Sequence, residues 1–168
     1  VNEGGAESGE VHIIFMNIDG SLDSTVEIIS STTNGPTLSK DDQFGMSVAN
    51  IGDLNGDGVN DMAVGANGDD EGGDTRGAVH IIFMNTDGSV DSTVEINDLT
   101  TNAHKLCKDD QFGMSVGTID DLDGNGVTDL AVGANGEDDG GDTRGALPII
   151  SKNPYDTAYW DGEQKNCT

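Results

Sequence analysis

Asp53-Leu54-Asn55-Gly56-Asp57-Gly58-Val59-Asn60-Asp61 is the stretch from which the rest of the chain is read. Side-chain oxygens stand at its first, third, fifth and ninth positions, and glycine at the fourth and sixth, where the backbone has to turn back on itself. Ca²⁺ is a hard cation that takes about six to eight oxygens at roughly 2.3 to 2.6 Å, and a tight loop of alternating carboxylates and amides supplies them without distant partners. The carbonyl of Val59, at the seventh position, completes an expected set of Asp53, Asn55, Asp57, Val59 and Asp61. The spacing recurs in Asp121-Leu122-Asp123-Gly124-Asn125-Gly126-Val127-Thr128-Asp129. That loop gives a second expected set, Asp121, Asp123, Asn125, Val127 and Asp129, with Asp and Asn exchanged at the third and fifth positions. Two Ca²⁺ sites are therefore expected. An EF-hand is excluded, because it carries a bidentate Glu at its twelfth position and runs between helices. Here the twelfth position is Val64 or Val132, within Met62-Ala63-Val64-Gly65 or Leu130-Ala131-Val132-Gly133, so a short apolar strand leaves each loop.

The loops belong to a longer repeat. Val11-His12-Ile13-Ile14-Phe15-Met16-Asn17 returns as Val79-His80-Ile81-Ile82-Phe83-Met84-Asn85, and Phe44-Gly45-Met46-Ser47-Val48 as Phe112-Gly113-Met114-Ser115-Val116. The period is 112 − 44 = 68 residues, and about 50 of the 68 aligned pairs are identical. The chain divides on this basis into the tail of a preceding repeat (1–10), two full repeats (11–78 and 79–146), and a C-terminal strand and tail (147–168). Within a repeat four strands are expected: Val11 to Asn17, Ser24 to Ile29 after an Asp19-Gly20 turn, Phe44 to Ile51, and Met62 to Ala66 beyond the ion loop. An acidic, glycine-rich loop from Asn67 to Gly77, repeated at Glu137 to Arg144, leads into the next repeat, expected as a solvated loop, with a further cation gathered by its carboxylates or ion pairs to Arg76 and Arg144 as the alternatives. Pro148 stands where the repeat has histidine and removes a ladder N–H, which marks Leu147-Pro148-Ile149-Ile150 as an edge or terminal strand. The tail collects Tyr155, Tyr159 and Trp160, expected to pack on the last repeat or to meet a carbohydrate or partner. No helix of ordinary length is expected.

Composition narrows the function. Seven basic residues against 32 acidic ones leave a formal charge of -25, which excludes nucleic acid and anionic membrane surfaces as partners. Two Ca²⁺ would reduce it only to -21, so calcium does not account for the whole charge, and a solvated acidic surface is one reading of the remainder. Glycine at 25 residues and aromatics at 4% suit short strands and tight turns over a small core. No apolar run approaches the roughly 18 residues of a membrane helix. Cys107 and Cys167 would pair in an oxidising compartment and pin the tail to the second repeat; two unrelated thiols are the alternative. Asn166-Cys167-Thr168 is an N-glycosylation pattern at Asn166, and both features favour a secreted or cell-surface location. His12 and His80 recur on a strand and read as packed or edge imidazoles, and His104 as a lone loop residue, so no enzyme is expected.

Phe44-Gly45, the ion loop and Gly65-Ala66, repeated as Phe112-Gly113, the second loop and Gly133-Ala134, resemble the FG-GAP repeat of integrin α-subunit heads and of many secreted proteins. The likeness covers residues 11–146, and departs from the family pattern at Asn67 and Asn135, where proline is usual. It implies an all-β fold of tandem four-stranded antiparallel propeller-like blades, with calcium held in a hairpin loop by the residues named above. A propeller needs about four to eight blades, so an incomplete ring or open array is expected, whose partners are copies of itself or further repeats of a longer chain. The expected function is a calcium-stabilised extracellular structural or adhesive module, assembling head-to-tail into a fibre where pairing does not close a ring. The alternative is a ligand-binding propeller fragment, for a protein or glycan, accessory to a secreted enzyme or adhesion receptor.

Overall fold

The computed structural model describes residues 8–103, 105–136 and 149–150. The elements in chain order are β1 (Val11–Met16), β2 (Leu22–Ile28), β3 (Phe44–Gly52), β4 (Asp61–Ala66), β5 (Ala78–Met84), β6 (Val90–Ile96), β7 (Phe112–Thr118), β8 (Leu130–Ala134) and β9 (Ile149–Ile150). The four strands expected in the first repeat fall within two residues of β1 to β4 at each end, and the described residues contain no helix. Turn chemistry sets the hairpins. Between β1 and β2, Asp19 Oδ1 accepts the Ser21 N–H at 2.9 Å and Gly20 takes φ 84°, and the β5–β6 turn repeats this with Asp87, Ser89 and Gly88.

Three sheets result, with strand orders β1-β2, β3-β4-β5-β6 and β7-β8-β9. All neighbouring strands are antiparallel. The four-stranded sheet is offset from the repeat as cut in sequence at residues 11 and 79: β3 and β4 come from the first repeat, β5 and β6 from the second. The connections explain the offset. The loop between β4 and β5 turns the chain straight back, closed by Asp69 N–H to Ala66 O at 3.1 Å and Gly77 N–H to Asp69 O at 3.0 Å. The longer connection from β2 to β3 instead carries the chain over to the next sheet, where Ser8 O receives the Phe44 N–H at 2.9 Å.

The sheets stack face to face around two cores. Between the first and second lie Val11, Ile28, Phe44, Val64, Ala66, Ile82, Met84 and Val90; between the second and third lie Ile51, Ala63, Val79, Ile81, Leu106, Phe112, Leu130 and Val132. Successive strand residues face opposite sides, so β5 sends His80, Ile82 and Met84 to one core and Val79 and Ile81 to the other. Each fully buried aliphatic side chain contributes about 1.5 to 3 kcal/mol.

The Phe-Gly and Gly-Ala pairs that mark each repeat meet where the second and third sheets touch. Gly113 has φ 90°, and a Cβ on it would lie 2.3 Å from Ala78 O. A Cβ on Gly65 would lie 1.9 Å from Gly113 O, the carbonyl that receives the Ser47 hydroxyl at 2.8 Å. Hydrogen at both Cα positions lets the backbones of adjacent sheets approach. The motif is thus a packing device between blades.

Candidate metal centres

Both acidic turns join the long strands of a hairpin, β3 to β4 and β7 to β8, at one end of their sheets. In the first, Asp53 Oδ1 accepts the N–H groups of Gly56 at 2.7 Å and Asp57 at 2.9 Å, and its Oδ2 accepts that of Gly58 at 2.8 Å. Asn55 Oδ1 receives the Asp57 N–H at 3.0 Å, and Asp57 Oδ1 the Val59 N–H at 2.8 Å. The second turn is wrapped alike. Asp121 receives the Asn125 and Gly126 N–H groups, and Asn125 receives that of Val127. Gly56, Gly58, Gly124 and Gly126 all have φ between 76° and 90°, which is why the two glycine positions of each turn are not interchangeable with other residues.

The ninth-position aspartates do a further job. Asp61 and Asp129 are buried at the mouth of their strands. Asp61 Oδ2 accepts the Leu54 N–H at 2.9 Å and Oδ1 the Met84 N–H at 3.1 Å, tying the turn to β5; Asp129 Oδ2 accepts the Leu122 N–H at 2.7 Å. Each of Asp121, Asp123 and Asp129 offers an oxygen within 4.8 Å of the others. Oxygens on opposite sides of one Ca²⁺ stand about 4.6 to 5.2 Å apart, so this donor set fits the ion. The first turn has the same wrap with Asn55 at the third position, where its amide nitrogen donates to Asp57 Oδ2 at 2.8 Å.

The glycine-rich loop beyond β4 departs from the solvated reading. Asp69 within it is buried, and Arg76 turns from its own loop to pair with Asp98, past the end of β6. Asp98 also receives Lys105 Nζ at 3.3 Å and the Leu106 N–H at 2.8 Å. Burial pushes its carboxyl up, but the Leu106 amide, Lys105 and Arg76 together hold it below the usual value. The repeated histidines part company: His12 is exposed beside Glu10 at 3.1 Å and Glu27 at 3.6 Å, whereas His80 is buried with its ring edge-on to Phe44, centroids 5.4 Å apart. Asp69, His80 and Glu95 come within 4.8 Å of one another, a grouping the sequence reading missed. The His80–Glu95 half was legible, since the two residues lie symmetrically about the Asp87-Gly88 turn and face each other across β5 and β6. Asp69 arrives from the acidic loop for which a further cation was one of the expected readings, but its meeting with His80 and Glu95 left no local signal. Cys107 is buried and is not a free thiol. Cys167, Asn166, His104, Pro148, the tail aromatics and the second acidic loop from Glu137 to Arg144 lie outside the described residues.

A stack of antiparallel sheets with acidic turns at a fixed period defines a tandem-repeat β protein of blade type. The FG-GAP repeat model matches residues 44–82 and 112–150. Integrin alpha pat-2 of Caenorhabditis elegans is 36% identical over 161 residues, covering 95% of this chain and 12% of that protein. Integrin alpha-5 of Xenopus laevis is 37% identical over 75% of the chain and 12% of its own length, and integrin alpha-6 of Homo sapiens 38% over 76% and 10%. The chain belongs to the FG-GAP repeat family and is homologous to integrin α subunits over most of its length. It spans about a tenth of the length of these curated relatives. Repeats of this kind are non-enzymatic.

Proposed function

We propose that the chain is a calcium-stabilised extracellular adhesion module that holds two Ca²⁺. One ion is held by Asp53, Asn55, Asp57, Asp61 and the Val59 carbonyl, the other by Asp121, Asp123, Asn125, Asp129 and the Val127 carbonyl. The carrying observation is the convergence of the Asp121, Asp123 and Asp129 oxygens within 4.8 Å, in a turn whose spacing and backbone wrap recur at residues 53–61. Carboxylates gathered this closely repel without a cation, and the ion's role is to lock each hairpin end. With free Ca²⁺ about tenfold above Kd, each site adds roughly 1.4 kcal/mol of stability. Calorimetric titration of chelator-treated protein is expected to give two Ca²⁺ per chain, reduced to one by Asp121→Ala or by Asp53→Ala. Heat with no saturable binding, and a Tm indifferent to millimolar Ca²⁺, would overturn this reading.

Homology to integrin α subunits supports a protein ligand and a location outside the cell. A Cys107–Cys167 bond and glycosylation at Asn166 suit the same compartment. The outward face of β1 and β2 supports an assembling role. Ile14, Met16 and Leu22 are 58%, 65% and 61% exposed there, while their repeat equivalents Ile82, Met84 and Val90 are 0%, 4% and 4% exposed beneath the neighbouring sheet. That face is matched to another blade, from further repeats or from a second copy, and head-to-tail stacking of copies without closure gives a fibre. Sedimentation and electron microscopy of the chain in millimolar Ca²⁺ test this, a strictly monomeric species counting against the fibre.

A further inference from the structure

The second sheet buries a group of side chains that the calcium reading does not use. His80 lies on β5 directly across from Glu95 on β6, and Asp69 reaches the same point from the loop after β4. His80 is 0% exposed, and among the described residues neither ring nitrogen has a hydrogen-bond partner. A neutral imidazole has one donor and one acceptor nitrogen, and burying both unpaired is costly. Asp69 is buried and Glu95 half-buried, and a ligand atom of each lies within 4.8 Å of the imidazole and of the other carboxylate. Two carboxylates this close and this dry repel, and Asp42 and Glu71 add further negative charge around them. Both carboxylates are held in place from behind: Asp69 Oδ1 receives the Glu71 N–H at 2.8 Å, and Glu95 Oε1 the Asn97 side-chain amide.

We propose that Asp69, His80 and Glu95 form a site for a divalent transition metal, of the Zn²⁺ class, distinct from the two calcium turns. The chemistry selects the ion. A buried imidazole nitrogen with two carboxylates is a ligand set of Zn²⁺, whose N and O ligands sit at about 2.0 to 2.2 Å, whereas Ca²⁺ takes oxygen only and more of it. One cation would satisfy the imidazole lone pair and cancel both carboxylate charges at once. The Glu71 amide and Asn97 supply the outer hydrogen bonds that orient such ligands. Glu95, half-buried, marks the side from which the ion enters and where a water completes the coordination. Burial already drives Asp69 up to about 7 and His80 down to about 4, so the imidazole is in its ligating, neutral form at neutral pH. In the first repeat Glu10, His12 and Glu27 also bring ligand atoms within 4.8 Å of one another, but all three are exposed to water and the His12 ring already contacts both glutamates, so that group serves as the comparison.

The test uses the full chain, stripped with chelator and returned to excess Ca²⁺ so that the acidic turns are filled. Titration with Co²⁺ is expected to raise one visible ligand-field band at one ion per chain, and Zn²⁺ to bleach it. Glu95→Gln and Asp69→Asn, close to isosteric and checked for an unchanged circular dichroism spectrum, each weaken Co²⁺ binding at least about tenfold, the scale seen when a metal site loses a supporting group. His12→Ala leaves the band as it was. Imidazole ¹⁵N resonances of wild-type protein give a second readout that needs no variant: Zn²⁺ is expected to shift those of His80. No stoichiometric band, a band that survives in folded Glu95→Gln and Asp69→Asn, or His80 resonances unmoved by Zn²⁺ would overturn the site and leave a proton shared between Asp69 and His80 in its place.

Discussion

At the scale of single residues, the contact between Gly65 and Gly113 is where one blade is fitted to the next. Alanine at 113 meets two penalties: a φ of 90° that L-residues avoid, and a Cβ 2.3 Å from Ala78 O. Left-handed backbone costs about 1 to 2 kcal/mol and overpacking about 1 to 3. Gly113→Ala is therefore expected to destabilise the fold by about 3 kcal/mol in urea denaturation, with the strand content of the surviving folded form unchanged. Asp98 gives a pH signature. Its folded carboxyl titrates below the unfolded one, so its contribution is complete above the unfolded value of 3.8 and is lost as pH falls through the lowered folded pKa. Asp98→Asn, which weakens hydrogen bonds to a charged acceptor, is expected to cost about 2 kcal/mol near pH 7. The gap between variant and wild type should close below about pH 4; a gap that stays constant down to pH 2 would remove Asp98 from the acid limb.

At the scale of the elements, each acidic turn is both an ion loop and the closure of a hairpin, and the two roles separate by residue. Among the described residues the Asp57 carboxylate hydrogen-bonds within its own turn, to the Val59 N–H and the Asn55 amide. Asp61 is buried and receives N–H groups from both the turn and β5. In the presence of chelator, Asp57→Ala is expected to change stability by under about 0.5 kcal/mol, as surface substitutions do. Asp61→Ala is expected to cost about 2 to 4 kcal/mol under the same conditions, because a buried donor, Met84 N–H, and a half-buried one, Leu54 N–H, are left without an acceptor. Restoring Ca²⁺ should stabilise wild type but neither variant fully. The turns, the strands and the two glycine positions were legible because each is a local pattern: oxygens at alternate positions, apolar runs between turns, glycine where φ is positive. Sheet membership was not. Nothing local distinguishes a repeat that folds on itself from one whose last two strands pair with the first two of the next, and the short loop between β4 and β5 decides for the latter.

At the scale of the whole molecule, the stack is asymmetric. The four-stranded sheet is covered on both sides, whereas the outer face of β1 and β2 carries Ile14, Met16 and Leu22 into solvent. Charged substitutions there remove apolar contact with any neighbouring blade without touching either core. Ile14→Lys with Met16→Glu is expected to leave the Tm of the monomer unchanged and to abolish concentration-dependent association in sedimentation velocity; association that persists would move the interface elsewhere. The same asymmetry separates what the chain's letters determine from what its packing determines. Val-His-Ile-Ile-Phe-Met occurs twice, unchanged, at residues 11–16 and 79–84, and both copies form a strand hydrogen-bonded to a Thr-Val-Glu-Ile strand in the same register. That much follows from β-branched side chains, period-two alternation and an Asp-Gly turn, all within about twenty residues. Yet His12 is solvated and His80 is sealed in a core, Ile14 is bare and Ile82 is covered. An identical sequence cannot encode that difference; it comes from a second sheet, distant along the chain, lying over one copy and not the other.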